Sequence, residues 1–298
     1  MVTGSSGRIQ LLLAAALFST GGVAVKACGL TAWQVAGFRC GIAAVALWVL
    51  LPAARGAWSG RTLVVACTYA VTLVSYVVAN KATTAANAIF LQSSAPLYVL
   101  LLSPILLGER VRKRDGLLMA ILAAGLGLLL FGDAPPSATA PDPVRGNGFG
   151  ALAGVAWGAT LVGLRWLAAR PESATPGEAG SDALRAVVAG NVLGFVACLP
   201  MVLPMASGSA ADWLLMVYLG VVQIGVAYAL LTAGMARVPA LEASALLLLE
   251  PILTPVWAWL AYGEVPSRLP LLGGAVVLAA AGVKTWLDSR SPPGADAA

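Results

Sequence analysis

The stretch APLYVLLLSPILLGE, residues 95–109, returns as EPILTPVWAWLAYGE at residues 250–264. The register is constant: 251 − 96, 263 − 108 and 264 − 109 each give 155. Ala88 and Ala243 keep that spacing upstream of Pro96 and Pro251. Each copy is an apolar run of about one bilayer thickness with a proline inside it and Gly-Glu at its end. A further apolar stretch follows each copy, Gly116–Phe131 and Leu269–Trp286. An internal repeat on this scale reads as two related halves of one membrane protein. The copies are not identical, since Ala95 faces Glu250 and Leu100 faces Pro255.

Composition supports the membrane reading. Hydrophobic residues make up 59% of the 298 and charged residues 10%, with a mean hydropathy of +0.88. Soluble domains carry about 25% charged residues, so this chain cannot clothe a water-facing surface. At about 20 apolar residues per crossing, ten helices fit. The spans fall near 9–27, 33–52, 63–80, 83–107 and 115–132, then 147–168, 185–204, 213–235, 240–261 and 269–287. Helices are expected because the runs exceed the about 9–11 residues of a barrel strand, and only helices or closed barrels satisfy backbone groups in lipid. The apolar run that starts at Ile9 continues to Val25, too long for a cleaved signal's core, and reads as the first span.

The expected fold is therefore an all-α membrane protein with ten transmembrane helices in two five-helix repeats around a central cavity. Residues 1–132 form the first repeat, 133–147 a linker, 148–288 the second repeat, and 289–298 a disordered tail. The linker holds Pro135, Pro136, Pro141 and Pro143 among small polar residues, and a second polar loop runs from Arg170 to Asp182. Five spans per repeat, an odd number, would invert the second repeat relative to the first. Loop charge agrees: of the 18 basic residues, Lys26, Arg39, Lys81, Arg145 and Arg268 fall on the linker side, leaving 18 − 5 = 13 on the side of the N-terminus. The positive-inside rule then places both termini in the cytoplasm of an inner-membrane protein. Inverted repeats are a transporter signature, with a central site exposed alternately to the two sides.

The sequence also excludes chemistries. There is no histidine, which removes Ser-His and Cys-His dyads and HExxH zinc sites. Cys28, Cys40, Cys67 and Cys198 sit singly inside apolar runs and read as buried, inert thiols rather than metal ligands or disulfides. No glycine-rich segment is followed by Gly-Lys-Ser/Thr, so no nucleotide site, cofactor or metal is expected. The +5 balance lacks a basic cluster interleaved with aromatics, so nucleic acid is not an expected partner. The Asp residues fall near loops, against an intramembrane aspartyl protease, and the chain is not expected to be an enzyme.

Candidate site residues follow from the cost of polarity in lipid. Glu250 is the one acidic residue near the middle of a span, and it could carry a coupling proton, meet a cationic substrate group or brace the kink at Pro251. Pro96, Pro251 and Pro255 remove backbone donors inside apolar helices and are candidate hinges, or else static kinks. On a continuous fourth helix, Asn87, Ser94 and Tyr98 share a face that could line a cavity or bond neighbouring helices, with Gln92 nearby. Tyr76 and Asn80 in the third span, Gln223 and Tyr228 in the eighth, and Trp157 and Trp257 as walls complete the candidate substrate-binding set. Glu109 and Glu264 end their helices against the macrodipole and call for a basic or amide N–H partner. Arg39 and Arg185 are read as snorkelling to the headgroups. Gly125, Gly127, Gly273, Gly274 and Gly282 suit close packing of the fifth and tenth helices.

With these residues in view, the chain resembles the EamA-type carriers of the drug/metabolite transporter superfamily. The resemblance rests on Ser94-Ala95-Pro96…Leu107-Gly108-Glu109-Arg110 and its partner Leu249-Glu250-Pro251…Tyr262-Gly263-Glu264, and on Arg39 and Arg185 early in the second helix of each repeat. Ala14–Phe18 and Ala153–Trp157 match the starts of helices one and six. It implies a secondary transporter of small metabolites, amino acids or related compounds in the export direction, working by alternating access; ten spans could enclose the cavity within one subunit, so a monomer suffices. A multidrug, nucleobase or sugar exporter of the same superfamily is the alternative, and a channel or membrane-embedded sensor is the alternative of another class.

Overall fold

The computed structural model describes residues 2–108, 113–131, 135–168, 176–203, 208–235, 237 and 246–289. Among these residues the protein is helical, with no strand beyond an isolated bridge between Ser137 and Ala140. The first half contains α1 (Val2–Ser19), α2 (Gly21–Ala27), α3 (Ala32–Leu50), α4 (Gly60–Ala82), α5 (Ala85–Gln92), α6 (Ala95–Leu106) and α7 (Lys113–Phe131). The second contains α8 (Pro143–Ala168), α9 (Pro176–Val202), α10 (Ala210–Val217), a π-helical stretch π1 (Tyr218–Val226), α11 (Ala227–Met235), α12 (Leu249–Tyr262) and α13 (Arg268–Ser289). Seven of the described helical segments are long and apolar enough to cross a membrane, and the apolar cores of α7 and α13 are shorter.

Helix starts are set by local chemistry. The Thr31 hydroxyl accepts from Gln34 N while the Gln34 side chain returns to Thr31 N, a reciprocal cap at the start of α3. Ser209 and Asp212 repeat that reciprocal cap at α10, and the hydroxyls of Ser59 and Thr84 accept from Thr62 N and Asn87 N to cap α4 and α5. Two expected loops are shorter than the sequence suggests. Pro143 and Pro176 open α8 and α9, so α8 begins four residues before Asn147 and the loop expected from Arg170 to Asp182 is helical from Pro176. Proline at the first helical position has no donor to lose and its φ is already helical, so here it starts helices rather than marking loops.

The fourth span is broken, where a continuous helix is expected over 83–107. α5 stops at Gln92 and α6 begins at Ala95. Pro96 cannot donate a backbone bond, and the hydroxyls of Ser93 and Ser94 occupy the carbonyls of Ile89 (2.7 Å) and Leu91 (2.6 Å). Pro96 therefore sits in the first turn of a new helix instead of kinking an old one. The second repeat does the same: Leu248 is a turn, α12 begins at Leu249, and Pro251 lies in its first turn, with Pro255 within the helix. The break also separates Asn87 from Tyr98, so the shared face read from a continuous helix does not exist.

Polarity is turned inside out relative to a soluble protein. Asn80, Asn147, Asn191 and Thr160 are buried, whereas Val45, Ile105, Leu117, Phe131, Leu214 and Leu272 are exposed. That is the surface of a protein solvated by lipid. Cys28, Cys40 and Cys198 are buried as expected, but Cys67 is exposed on this apolar exterior, because a side chain in an apolar run faces lipid as readily as protein.

Helix pairings recur between the halves. α4 packs on α8, and α11 on α1; α4 packs on α9, and π1 on α3; α6 packs on α8, and α12 on α1. α3 meets α9, and α7 meets α13. The last pair uses the expected glycines: a Cβ on Gly125 would lie 3.1 Å from the Gly273 carbonyl, and one on Gly273 would lie 2.7 Å from the Gly125 carbonyl. Gly274 packs against Phe90, while Gly127 has open space beside it and Gly282 no contact tighter than an ordinary one.

Candidate functional site

The two helix breaks converge on a cavity of about 370 Å³, within the size range of small-ligand sites. Its wall draws on both halves: Phe18, Arg39, Tyr69, Thr72 and Tyr76 from α1, α3 and α4, and Ile89, Gln92, Ser93 and Pro96 around the first break. Trp157 comes from α8, Gln223 from π1, Tyr228 and Leu231 from α11, and Leu248, Glu250 and Pro251 from the second break. Of the residues singled out from sequence, Tyr76, Gln92, Trp157, Gln223, Tyr228, Glu250, Pro96 and Pro251 come together here.

Five others stand outside this wall. Asn87 donates through Nδ2 to Asn147 Oδ1 (3.2 Å), which also accepts from the Thr83 hydroxyl (2.8 Å), a bond between helices. Ser94 spends its hydroxyl on the Leu91 carbonyl. Tyr98 lies over Gly158, Asn80 is buried against Gly22, and Trp257 donates through Nε1 to the Ser19 hydroxyl at 2.9 Å. Pro255 is not part of the wall either. Short-range patterning cannot tell an inward polar face from an interhelical one, and Asn87 and Trp257 took the latter role.

The wall is largely apolar, with aromatic rings from Phe18, Tyr69, Tyr76, Trp157 and Tyr228 and few charges. The Tyr69 and Tyr228 rings meet edge to face with centroids 6.1 Å apart, and Phe18 packs on Tyr228 at 5.3 Å. Glu250, in the first turn of α12, reaches the cavity, and no hydrogen bond or ion pair to its carboxylate is found among the described residues. Gln223 donates through Nε2 to the Phe18 carbonyl at 3.3 Å, while its Oε1 is buried without a partner. The π-helical stretch that carries Gln223 has no sequence signature; such wide turns concentrate at functional sites.

Arg39 departs from its expected role. It is only 2% exposed and lines the cavity, instead of snorkelling to the headgroups. Its guanidinium turns inward instead, donating through Nη2 to the Leu73 carbonyl of α4 at 3.2 Å. Arg185 pairs with Asp182 at 3.0 Å.

Toward the linker side the protein is tied by a second polar cluster. Lys26 Nζ lies 3.3 Å from Glu264 Oε2, both side chains buried, and donates to the carbonyls of Thr83 (2.8 Å) and Thr139. Glu264 Oε1 accepts from Ala85 N, the first amide of α5, at 2.5 Å. The carboxylate after α12 thus has both partners expected of it, a cation and a helix N-terminus. This latch joins α2, the α4–α5 turn, the linker and the end of α12. Glu109 lies outside the described residues, as do the start of the ninth expected span (240–245) and residues 290–298 of the expected tail.

Comparison with known proteins gives a consistent result. The profile of the EamA-like transporter family matches residues 5–131 and 144–284. An uncharacterized transporter of Archaeoglobus fulgidus is 31% identical over 276 residues, covering 92% of this chain and 94% of that protein. A crystal structure described only as that of a protein aligns with a TM-score of 0.61 over 96% of this chain and 98% of that one; at 22% identity the likeness concerns the fold alone.

Proposed function

The chain belongs to the EamA-like transporter family, a multi-pass membrane protein, and from that premise we propose that it is a secondary carrier of small metabolites, amino acids or related compounds, exporting them across the inner membrane by alternating access. The observation that carries this reading is Glu250: a carboxylate on the wall of a cavity lined by both halves, with no partner for it among the described residues. A carboxylate at this depth needs a cation or a proton, and an amino group on a solute supplies the first.

Several observations support the architecture behind the mechanism. The recurring helix pairings, with the roles of the halves exchanged, favour ten spans in two inverted repeats, 1–132 and 148–288. Lys26, Lys81 and the linker meet at one end of the bundle, while Arg237 Nη1 meets Gln10 Oε1 at 3.1 Å near the N-terminal end, in keeping with cytoplasmic termini. One subunit encloses the cavity, so a monomer is sufficient. Without a nucleotide-binding motif, a solute or ion gradient supplies the drive.

The test is counterflow of a labelled amino-acid panel in proteoliposomes, with and without a pH gradient. Wild type is expected to give saturable flux, and Glu250→Gln to lower flux at limiting substrate by about 30-fold, equivalent to ~2 kcal/mol for one lost partner of a desolvated charge pair. Loss of the gradient response in the variant would assign Glu250 a proton. A wild-type protein that moves no solute from a broad metabolite panel would sink the carrier reading, and steady conductance in a planar bilayer would replace it with a channel.

A further inference from the structure

We propose that Arg39 is the anion-binding subsite of the cavity and receives the carboxylate of the transported solute. This deepens, and rests on, the amino-acid reading given above.

The case begins with what Arg39 lacks. Its Nη2 donates to the Leu73 carbonyl at 3.2 Å, and Nε is buried with no hydrogen-bond partner. No carboxylate pairs with it among the described residues. The contrast with other basic side chains is direct: Lys26 is paired with Glu264, and Arg185 with Asp182. A guanidinium cannot be neutralised by losing its proton at physiological pH, so a buried one needs a negative partner or a strong set of acceptors. Arg39 has one acceptor and an open cavity beside it.

Geometry indicates which partner suits the guanidinium. Arg39 stands on α3 in the first half, and Glu250 on α12 in the second. The two line the same cavity without forming an ion pair with each other. The same cavity is walled by phenols and aliphatic groups, among them Tyr76, Tyr228 and Leu73. A solute carrying a carboxylate and an ammonium group would satisfy both charges at once. The planar guanidinium fork suits a carboxylate, to which it can present two parallel N–H groups. The binding class is therefore an α-amino acid with a free carboxylate, rather than an amine, an amide or a nucleobase.

The test uses the full-length protein in detergent and in proteoliposomes. A pool of L-amino acids and a pool of the corresponding α-amides serve as probes, on wild type, Arg39→Gln and Arg39→Lys. The acid pool is expected to raise the melting midpoint of the wild type, and the amide pool to leave it unchanged. Arg39→Gln is expected to weaken the response to acids by about 10- to 100-fold, the loss of one charged hydrogen-bonding partner. Arg39→Lys should weaken acids less and keep the preference for acids over amides, a rescue by charge that a purely structural arginine would not give. Should Arg39→Gln fail to fold, Arg39→Lys carries the test. A variant that weakens both pools equally, or an Arg39→Gln protein that discriminates like the wild type, overturns the proposal. Flux of amino compounds with no preference for a free carboxylate removes Arg39 from recognition and leaves the carrier reading standing. No shift and no flux with either pool removes both.

Discussion

Lys26→Met is expected to lower the stability of the detergent-solubilised protein by about 3–5 kcal/mol, the range seen when one partner of a buried ion pair is removed. The substitution keeps the length of the side chain but leaves the Glu264 carboxylate enclosed with only the Ala85 amide. It also frees the carbonyls of Thr83 and Thr139, which Lys26 now holds. Thermal unfolding followed by circular dichroism at neutral pH measures the loss. The Lys26→Met/Glu264→Gln double variant should recover part of it, because no bare charge remains. Additive losses in that cycle would mean that the two side chains act independently and that the latch is not a unit.

Gly154→Val is the second large effect. α8 crosses the first helix break with its backbone pressed on it: a Cβ at Gly154 would lie 2.5 Å from the Leu91 carbonyl oxygen and 2.7 Å from the Ser94 hydroxyl. The obstacle is backbone, and the Ser94 hydroxyl is itself bonded to that carbonyl, so no rotamer change clears the clash. Overpacking in cores costs about 1–3 kcal/mol where side chains can yield, and the cost here should exceed that range. Gel filtration of detergent extracts is expected to show little monodisperse Gly154→Val protein, with Gly148→Val, where nothing lies within 4 Å, as the tolerated control. Equal yields would show that α8 sits farther from α5 and α6 than the structure has it.

The sequence carried the large features because they rest on long-range regularities. A repeat at constant spacing, runs of bilayer length and the need for Glu264 to find a partner are legible without coordinates. What stayed hidden depends on a few atoms. The break at Ser93-Ser94 arises from two hydroxyls and one missing amide acting together, and a proline in an apolar run reads equally well as a kink. Arg39 was legible as a charge in a span but not as a cavity wall, because its depth follows from how α3 packs against α4, α9 and π1. The polar face assigned to Asn87, Ser94 and Tyr98 failed for the same reason as the continuous helix on which it depended. Gln223, Tyr76 and Tyr228 do line the cavity, because polar groups in apolar spans are scarce enough that most serve either a cavity or a neighbouring helix.

The broken fourth span has a mechanical consequence. An intact helix across the bilayer is a single stiff rod, and any tilt at one face must be matched at the other. Here the rod is cut in two. α5 is clamped at its first amide by Glu264, while α6, 12 residues long, continues beyond the break. At 1.5 Å per residue α6 is about 18 Å of lever arm, so a swing of about 10° at Ser94 carries its far end by about 3 Å, roughly the width of a water molecule. The far end of α6 can move by that distance while Ala95 and Pro96, at the pivot, keep their places on the cavity wall and the latch stays undisturbed.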